Sequence, residues 1–167
     1  SVEGPIRRIS YRDLRLRALR VAKALQKEGV VLGDRIATMA WNTDRHVEVW
    51  YGIMGLGAIS HTVNPRLFVE QLVYIMNHAE DKILFVDLTF VPLIEAIAAK
   101  LPTIKKYIIL TDEAHMPATR LPNAHAYETW LAGADADFAW ASFDENTAAD
   151  LCYTSGTTGN PKGALYS

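Results

Sequence analysis

Apolar side chains in the first part of the chain repeat every three or four residues, as on one face of an α-helix. The repeat runs through positions 14, 18, 21, 22 and 25. Ser10 stands just before it with Asp13 three residues on, a capping-box variant in which aspartate replaces glutamate. Gly29 follows the last apolar position and suits a left-handed C-terminal cap, because a residue without Cβ avoids the steric penalty of that conformation. The pattern predicts a helix over residues 12–28.

After Gly29 the chain alternates between short apolar runs and longer segments of helical spacing. The short runs predict strands over residues 35–40, 58–63, 82–87 and 106–111. The intervening segments predict helices over residues 44–56, 69–79 and 90–100, with Asn42 or Thr43 as the N-cap of the first. Continuous apolar strands that alternate with helices of this length indicate an α/β fold, with a largely parallel sheet and helices on both faces.

The alternation weakens over residues 112–146, which hold prolines, small residues and several acids. This stretch predicts a connecting excursion with one short helix near residues 127–131. The chain has 167 residues, 50% of them apolar and 22% charged, which is the composition of a single core-forming unit. We therefore expect one domain over residues 1–167.

Composition and charge exclude several classes of function. The net charge is −2, and basic residues concentrated along one helix indicate a solvated face rather than a nucleic-acid surface. The one cysteine, Cys152, has no partner for a disulfide or for the usual zinc spacings, so we expect a reducing compartment, the cytoplasm. No apolar run approaches about eighteen residues, so no integral membrane span is expected. Residues 1–5, SVEGP, lack the order of a signal peptide.

The strongest chemical signal is the segment TSGTTGNPKG at residues 154–163, which apolar residues flank on both sides. Its glycines permit positive φ and leave amide N–H groups uncovered, so that successive amides can point at phosphate oxygens. Its hydroxyl groups add rotatable donors. Lys162 brings a full positive charge that could offset the charge growing on a leaving pyrophosphate. We predict a phosphate-binding loop.

Other glycine-rich loops fit this segment less well. Pro161 precedes Lys162 and Gly163 follows it, so the spacing differs from the Walker pattern and from the dinucleotide fingerprint. A flexible Gly/Ser/Thr linker is the structural alternative, but linkers rarely end in Pro-Lys-Gly between two apolar strands.

The segment YTSGTTGNPKG at residues 153–163 resembles the signature phosphate loop of the adenylate-forming superfamily, which includes acyl-CoA synthetases, peptide-synthetase adenylation domains and beetle luciferases. Upstream segments resemble this superfamily as well, apart from residues 112–146; they are ISYRDL at 9–14, GDR at 33–35, GA at 57–58 and NPRL at 64–67. Two further segments, AWNTDRH at 40–46 and HTVNPRL at 61–67, resemble bacterial ligases for medium- and long-chain fatty acids.

The resemblance implies a two-step reaction. A small-molecule carboxylic acid, expected to be a fatty acid, reacts with Mg-ATP to form an acyl-adenylate and pyrophosphate, and the thiol of coenzyme A then takes the acyl group. ATP, Mg²⁺ and coenzyme A are thus the expected cofactor and co-substrates. The residues expected to hold the β- and γ-phosphates, with Lys162 as the catalytic residue, are Thr154, Ser155, Gly156, Thr157, Thr158, Gly159, Lys162 and Gly163.

The family's magnesium-binding glutamate, ribose-binding aspartate and C-terminal lysine would all lie beyond Ser167. The expectation is a partial N-terminal domain, truncated at both ends, that ends in a phosphate-loop hairpin and has no ligase activity by itself. A non-catalytic nucleotide- or protein-binding module remains an alternative, as does an aryl-CoA ligase or a carrier-protein adenylation domain. Homo-oligomerisation and the identity of the acid are left open.

The remaining conspicuous side chains are assigned to structure. His46 and His61 are expected to be hydrogen-bonded structural residues. Cys152 is expected to be a small buried side chain rather than a nucleophile. No metal site is expected from the scattered histidines His78, His115 and His125. Four residues are expected in the core rather than in an acyl pocket, namely Trp41, Trp50, Tyr51 and Met54.

Overall fold

A computed structural model of the protein describes residues 6–154 and 159–167. Its strands are β1 (Arg35–Met39), β2 (Ile59–Thr62), β3 (Ile83–Val86), β4 (Lys106–Ile109), β5 (Ala124–Ala126), β6 (Asp150–Thr154) and β7 (Lys162–Tyr166). Its α-helices are α1 (Tyr11–Lys27), α2 (Asp44–Leu56), α3 (Val69–Ala79), α4 (Val91–Ile97) and α5 (Tyr127–Ala132). The strands form one sheet in the order β5-β4-β3-β1-β2-β6-β7. Every pairing is parallel except the antiparallel β6–β7 hairpin.

Helices cover both faces of this sheet. On one face α1, α2 and α5 pack around the strand residues Ile36, Phe85 and Ile108. On the other face α3 and α4 pack around Ala37 and Leu84, the sequence neighbours of two of those residues. Successive side chains of a strand point to opposite faces, so each of these strands contributes to two cores. The predicted α/β fold with a largely parallel sheet is confirmed.

Caps are present at both ends of the first two helices, and all of them except Gly57 are predicted from the sequence. The hydroxyl of Ser10 accepts a hydrogen bond from the backbone N–H of Asp13 at 3.1 Å, and α1 is followed by Gly29 at φ 79°. The hydroxyl of Thr43 accepts from the backbone N–H of His46 at 3.3 Å, and α2 ends at Gly57 with φ 89°. These local signals therefore set the helix boundaries that the sequence predicts.

The stretch 112–146 is more regular than the sequence predicts. The short helix α5 is confirmed, but β5 also lies in this stretch and pairs with Tyr107–Ile109 at the edge of the sheet. Its sequence, Ala-His-Ala, holds no β-branched or aromatic residue, so nothing in the pattern identifies a strand. The helix predicted over residues 90–100 is shorter than expected, because 3₁₀ turns flank α4 on both sides.

The prediction that the aromatic residues near α2 are core is wrong. Trp41, Trp50 and Tyr51 are 47%, 38% and 51% exposed, and Met54 is half-buried. The buried stripe of α2 includes two charged residues, Arg45 and Glu48, and this orientation of the helix turns Trp50 and Tyr51 outward. Tyr51 and Met54 instead line an open groove together with Tyr11, Leu14, Val47 and Trp140.

An ion network makes the buried charges of α2 tolerable. Glu48, which is fully buried, accepts from Arg17 Nε at 2.7 Å and from the Tyr127 hydroxyl at 2.8 Å. Arg17 and Arg45 both bind Glu128 of α5. Gly52 allows α1 to lie close to α2, since a Cβ there would come within 2.5 Å of Val21 Cγ1. The network joins α1, α2 and α5 on one face of the sheet.

Candidate functional site

The β6–β7 hairpin carries the predicted phosphate loop. Asp150–Thr154 pairs with Lys162–Tyr166 so that Thr154 faces Lys162 and Tyr153 faces Gly163. The Thr154 hydroxyl lies 3.4 Å from the carbonyl oxygen of Lys162. Because β6 is parallel to β2, Thr154 lies at the carboxyl ends of the parallel strands. This is the side of an α/β sheet that commonly binds ligands.

Four of the eight predicted site residues lie in the described part of the chain. Thr154 and Lys162 are exposed at the two ends of the loop, and Gly159 has a φ of 92°, which favours glycine. Among residues 6–154 and 159–167, no carboxylate forms an ion pair with Lys162, so its charge is available to an anion. The other four predicted residues lie outside the described residues; they are Ser155, Gly156, Thr157 and Thr158.

Gly163 has a packing role at the base of the loop. A Cβ at this position would lie 3.0 Å from Leu151 Cδ1 and 3.3 Å from Tyr153 Cζ. Both distances are shorter than ordinary van der Waals contact, so the two side chains of β6 occupy the space that a larger residue would need. The glycine therefore leaves room for the Tyr153 ring beside β7.

Four polar side chains form a cluster beneath the hairpin, on the face of the sheet that α3 covers; they are His61, His78, Asp81 and Tyr153. Nδ1 of His61 is 2.7 Å from Oδ2 of Asp81, and both side chains are fully buried. The Tyr153 ring lies 5.1 Å from the His61 ring, and the Tyr153 hydroxyl is 2.6 Å from Nδ1 of His78. The sequence pattern gives no sign of this cluster, because its members come from β2, α3, the turn after α3, and β6.

Burial dominates the protonation behaviour of these groups. It raises the pKa of Asp81, against the opposing hydrogen bond and charge of His61. Burial, reinforced by the nearby Asp81 charge, raises the pKa of Tyr153 to about 12. Tyr153 therefore keeps its proton at neutral pH and can act as a hydrogen-bond donor to His78.

His46 occupies the structural setting that the sequence predicts, whereas Cys152, predicted to be buried, is only half-buried. His46 Nε2 lies 3.0 Å from the Thr38 hydroxyl and Nδ1 lies 3.2 Å from the Trp41 carbonyl, and burial lowers the pKa of His46. Burial, together with the hydrogen bond to Asp150, raises the pKa of the half-buried Cys152 thiol to about 11. A thiol with a raised pKa is a poor nucleophile at neutral pH.

The described residues show neither a metal cluster nor a helix that could span a membrane. In this part of the chain no three histidine, cysteine or acidic side chains come together in a way that could hold a metal ion. None of its helices combines the length and the apolarity that crossing a bilayer requires.

Known proteins resemble this chain over almost its whole length. The family model for AMP-binding enzymes matches residues 2–167. A medium-chain-fatty-acid–CoA ligase of Ectopseudomonas oleovorans is 46% identical over 98% of the chain and 30% of the ligase. A 3-methylmercaptopropionyl-CoA ligase of Ruegeria pomeroyi is 47% identical over 100% of the chain and 31% of that ligase.

A solved structure resembles the fold of this chain as well. The crystal structure of the anthranilate CoA ligase AuaEII in complex with anthranoyl-AMP superposes with a TM-score of 0.87 at 27% identity, covering 96% of this chain and 30% of that one. The chain therefore spans 30% and 31% of the length of the two ligases that resemble it in sequence.

Proposed function

This chain belongs to the AMP-binding enzyme family, and from that premise we propose that it is part of an ATP-dependent acyl-CoA ligase. We propose that the chain is a partial N-terminal domain of this ligase over residues 1–167, with the phosphate loop at residues 154–163. The whole ligase activates a carboxylic acid, a fatty acid by preference, and transfers it to coenzyme A. The identities of 46% and 47% to two acyl-CoA ligases support this reaction class.

The proposed reaction has two steps, adenylation of the acid and formation of the thioester. A carboxylate oxygen of the acid attacks the α-phosphorus of ATP, and the bond between the α-phosphorus and the bridging oxygen breaks as pyrophosphate leaves. The coenzyme A sulfur then attacks the acyl carbon of the adenylate, AMP leaves, and the thiol proton passes to solvent. We assign the phosphate loop of this chain to the first step.

The observation that carries this proposal is the register of the β6–β7 hairpin. It holds Thr154 and Lys162 opposite each other at both ends of the loop. We assign the Thr154 hydroxyl and the loop amides to the β- and γ-phosphates as donors, with Ser155, Gly156, Thr157, Thr158, Gly159 and Gly163 completing the loop. The Lys162 ammonium neutralises charge on the departing pyrophosphate, and such preorganised electrostatics are usually the largest catalytic contribution.

Magnesium, when bound, would neutralise part of the triphosphate charge. The described residues offer no group of acidic or histidine side chains that fits the ion. We propose that its protein ligands, like most of the sites for coenzyme A and the acid, lie in the rest of the ligase. The unpaired Cys152 suits a reducing compartment, and we propose the cytoplasm as the place of action.

The test is acid-dependent exchange of labelled pyrophosphate into ATP by the complete ligase. We expect exchange with aliphatic acids, strongest with medium or long chains, followed by thioester formation when coenzyme A is added. Strongest exchange with benzoates would move the protein to the aryl-CoA ligases. Absence of exchange with every acid would favour a non-catalytic nucleotide-binding module instead.

A further inference from the structure

We propose that Tyr153, His78, His61 and Asp81 form a positioning network that fixes where the phosphate loop begins. None of the four is proposed to touch substrate. The inference rests on the proposed function, because the position of the loop matters for catalysis only if the loop binds ATP.

β6 loses its support from the rest of the sheet before the loop starts. The pairing between β2 and β6 has only two register positions in the described chain, Ser60 with Asp150 and His61 with Leu151. Beyond Leu151, β7 at the edge of the sheet is the only pairing partner of the strand among the described residues. A two-stranded ribbon is only marginally stable by itself, so Thr154 needs another anchor.

Tyr153 supplies this anchor one residue before Thr154. Its hydroxyl is 2.6 Å from Nδ1 of His78 on α3, and the two rings meet edge to face at 5.9 Å. Its ring also packs against His61 at 5.1 Å. The end of β6 is thus attached both to α3 and to the neighbouring strand β2 by a single side chain.

The His61–Asp81 pair provides a fixed support for that ring. Both side chains are 0% exposed, and their hydrogen bond sets the orientation of the imidazole ring. Burying two hydrogen-bonded polar groups costs desolvation energy that their hydrogen bond offsets only in part, so well-packed apolar residues would serve stability as well. We therefore assign the pair a role in orientation, which a hydrogen bond between two buried groups supplies and apolar packing does not.

The network reaches both ends of the loop. Tyr153 is bonded directly to Thr154, and its ring lies against Gly163, the next residue after Lys162. A shift of the Tyr153 ring therefore moves the first donor of the loop and the lysine together. We expect such a shift to weaken ATP binding more than the binding of the acid.

The experiment measures steady-state pyrophosphate exchange of the complete ligase in Tyr153→Phe, His78→Ala and the double variant. We expect the KM for ATP to rise about three- to tenfold in Tyr153→Phe, the range of one lost hydrogen bond, while the KM for the acid stays unchanged. The double variant should match Tyr153→Phe, because both substitutions remove the same hydrogen bond. Additive effects, or an unchanged KM for ATP in Tyr153→Phe, would overturn the proposal.

Tyr127→Phe is the matched control. Its hydroxyl also donates a hydrogen bond, to Glu48, but on the opposite face of the sheet. It should lower the melting temperature and leave the KM for ATP at the wild-type value. An equal rise in that KM would show that loss of any tyrosine hydroxyl weakens ATP binding, and would contradict a specific role for Tyr153. Absence of exchange in the wild-type enzyme would instead refute the proposed function, so the two failures are distinguishable.

Discussion

Thr154 and Lys162 are cross-strand partners at the point where β6 ends and β7 begins. The pairing brings the first hydroxyl of the glycine-rich segment and its one lysine to the same end of the hairpin, although eight positions separate them in sequence. A loop closed in this way can surround an anion with donors on both sides. We propose that this anion is the triphosphate of ATP.

Lys162→Ala should slow pyrophosphate exchange in the complete ligase by about tenfold or more, because the ammonium offsets charge that develops on the leaving group. The measurement is the initial rate of exchange at saturating acid. Lys100→Ala is the matched control, since Lys100 is also exposed and lies outside the hairpin. Exchange at the wild-type rate in Lys162→Ala would remove this residue from the mechanism.

Gly163→Ala should destabilise the hairpin by about 1 kcal/mol, because overpacking costs roughly that much and the new Cβ would meet Leu151 and Tyr153. The free energy of unfolding in urea measures the effect. Gly133→Ala is the control, because its Cβ would meet only the Trp130 carbonyl oxygen, at an ordinary 3.4 Å. Equal stability of the two variants would mean that the ring of Tyr153 does not restrict position 163.

Glu48→Ala should lower the free energy of unfolding by about 3 kcal/mol, since removing one partner of a buried ion network leaves the others unpaired. Arg17 and the hydroxyl of Tyr127 both lose their bond to this carboxylate. Glu145→Ala, at an exposed position, should change stability by less than about 0.5 kcal/mol. Similar values for both variants would show that the network contributes nothing to stability.

The Cys152 thiol should react slowly with a thiol reagent at pH 8. Its pKa is raised to about 11 from an ordinary value of 9.0, so the reactive thiolate is roughly a hundredfold rarer than in an unfolded chain. The rate of labelling in buffer, compared with the rate in denaturant, measures this difference. Asp150→Asn should speed labelling of the folded protein, because it removes a negative charge beside the sulfur. Equal rates in buffer and denaturant would contradict the raised pKa.

Local patterns predict most of the fold. Apolar runs identify β1 to β4, and the caps at Ser10 and Thr43 fix where α1 and α2 begin, because these signals depend only on neighbours in sequence. The orientation of α2 escapes prediction because Glu48 is buried through partners on α1 and α5, which are distant in sequence. β5 escapes prediction because its residues favour no strand.

The candidate site is likewise predicted by local sequence patterns only in part. A phosphate-binding loop is predicted from the composition of residues 154–163, which combines glycines, hydroxyl side chains and a lysine. The contacts of Tyr153 with His61 and His78 beneath the hairpin cannot be predicted from the sequence, because the order of strands in the sheet sets them. Histidines that look scattered along the sequence meet only after β2, α3 and β6 have packed.

Binding of the ATP triphosphate by residues 154–163 is tested most directly by a crystal structure of the complete ligase with ATP or a non-hydrolysable analogue bound. We predict β- and γ-phosphate oxygens within hydrogen-bonding distance, about 3.2 Å or less, of the Thr154 hydroxyl and of Nζ of Lys162. A triphosphate bound elsewhere, with no contact to residues 154–163, would contradict the account.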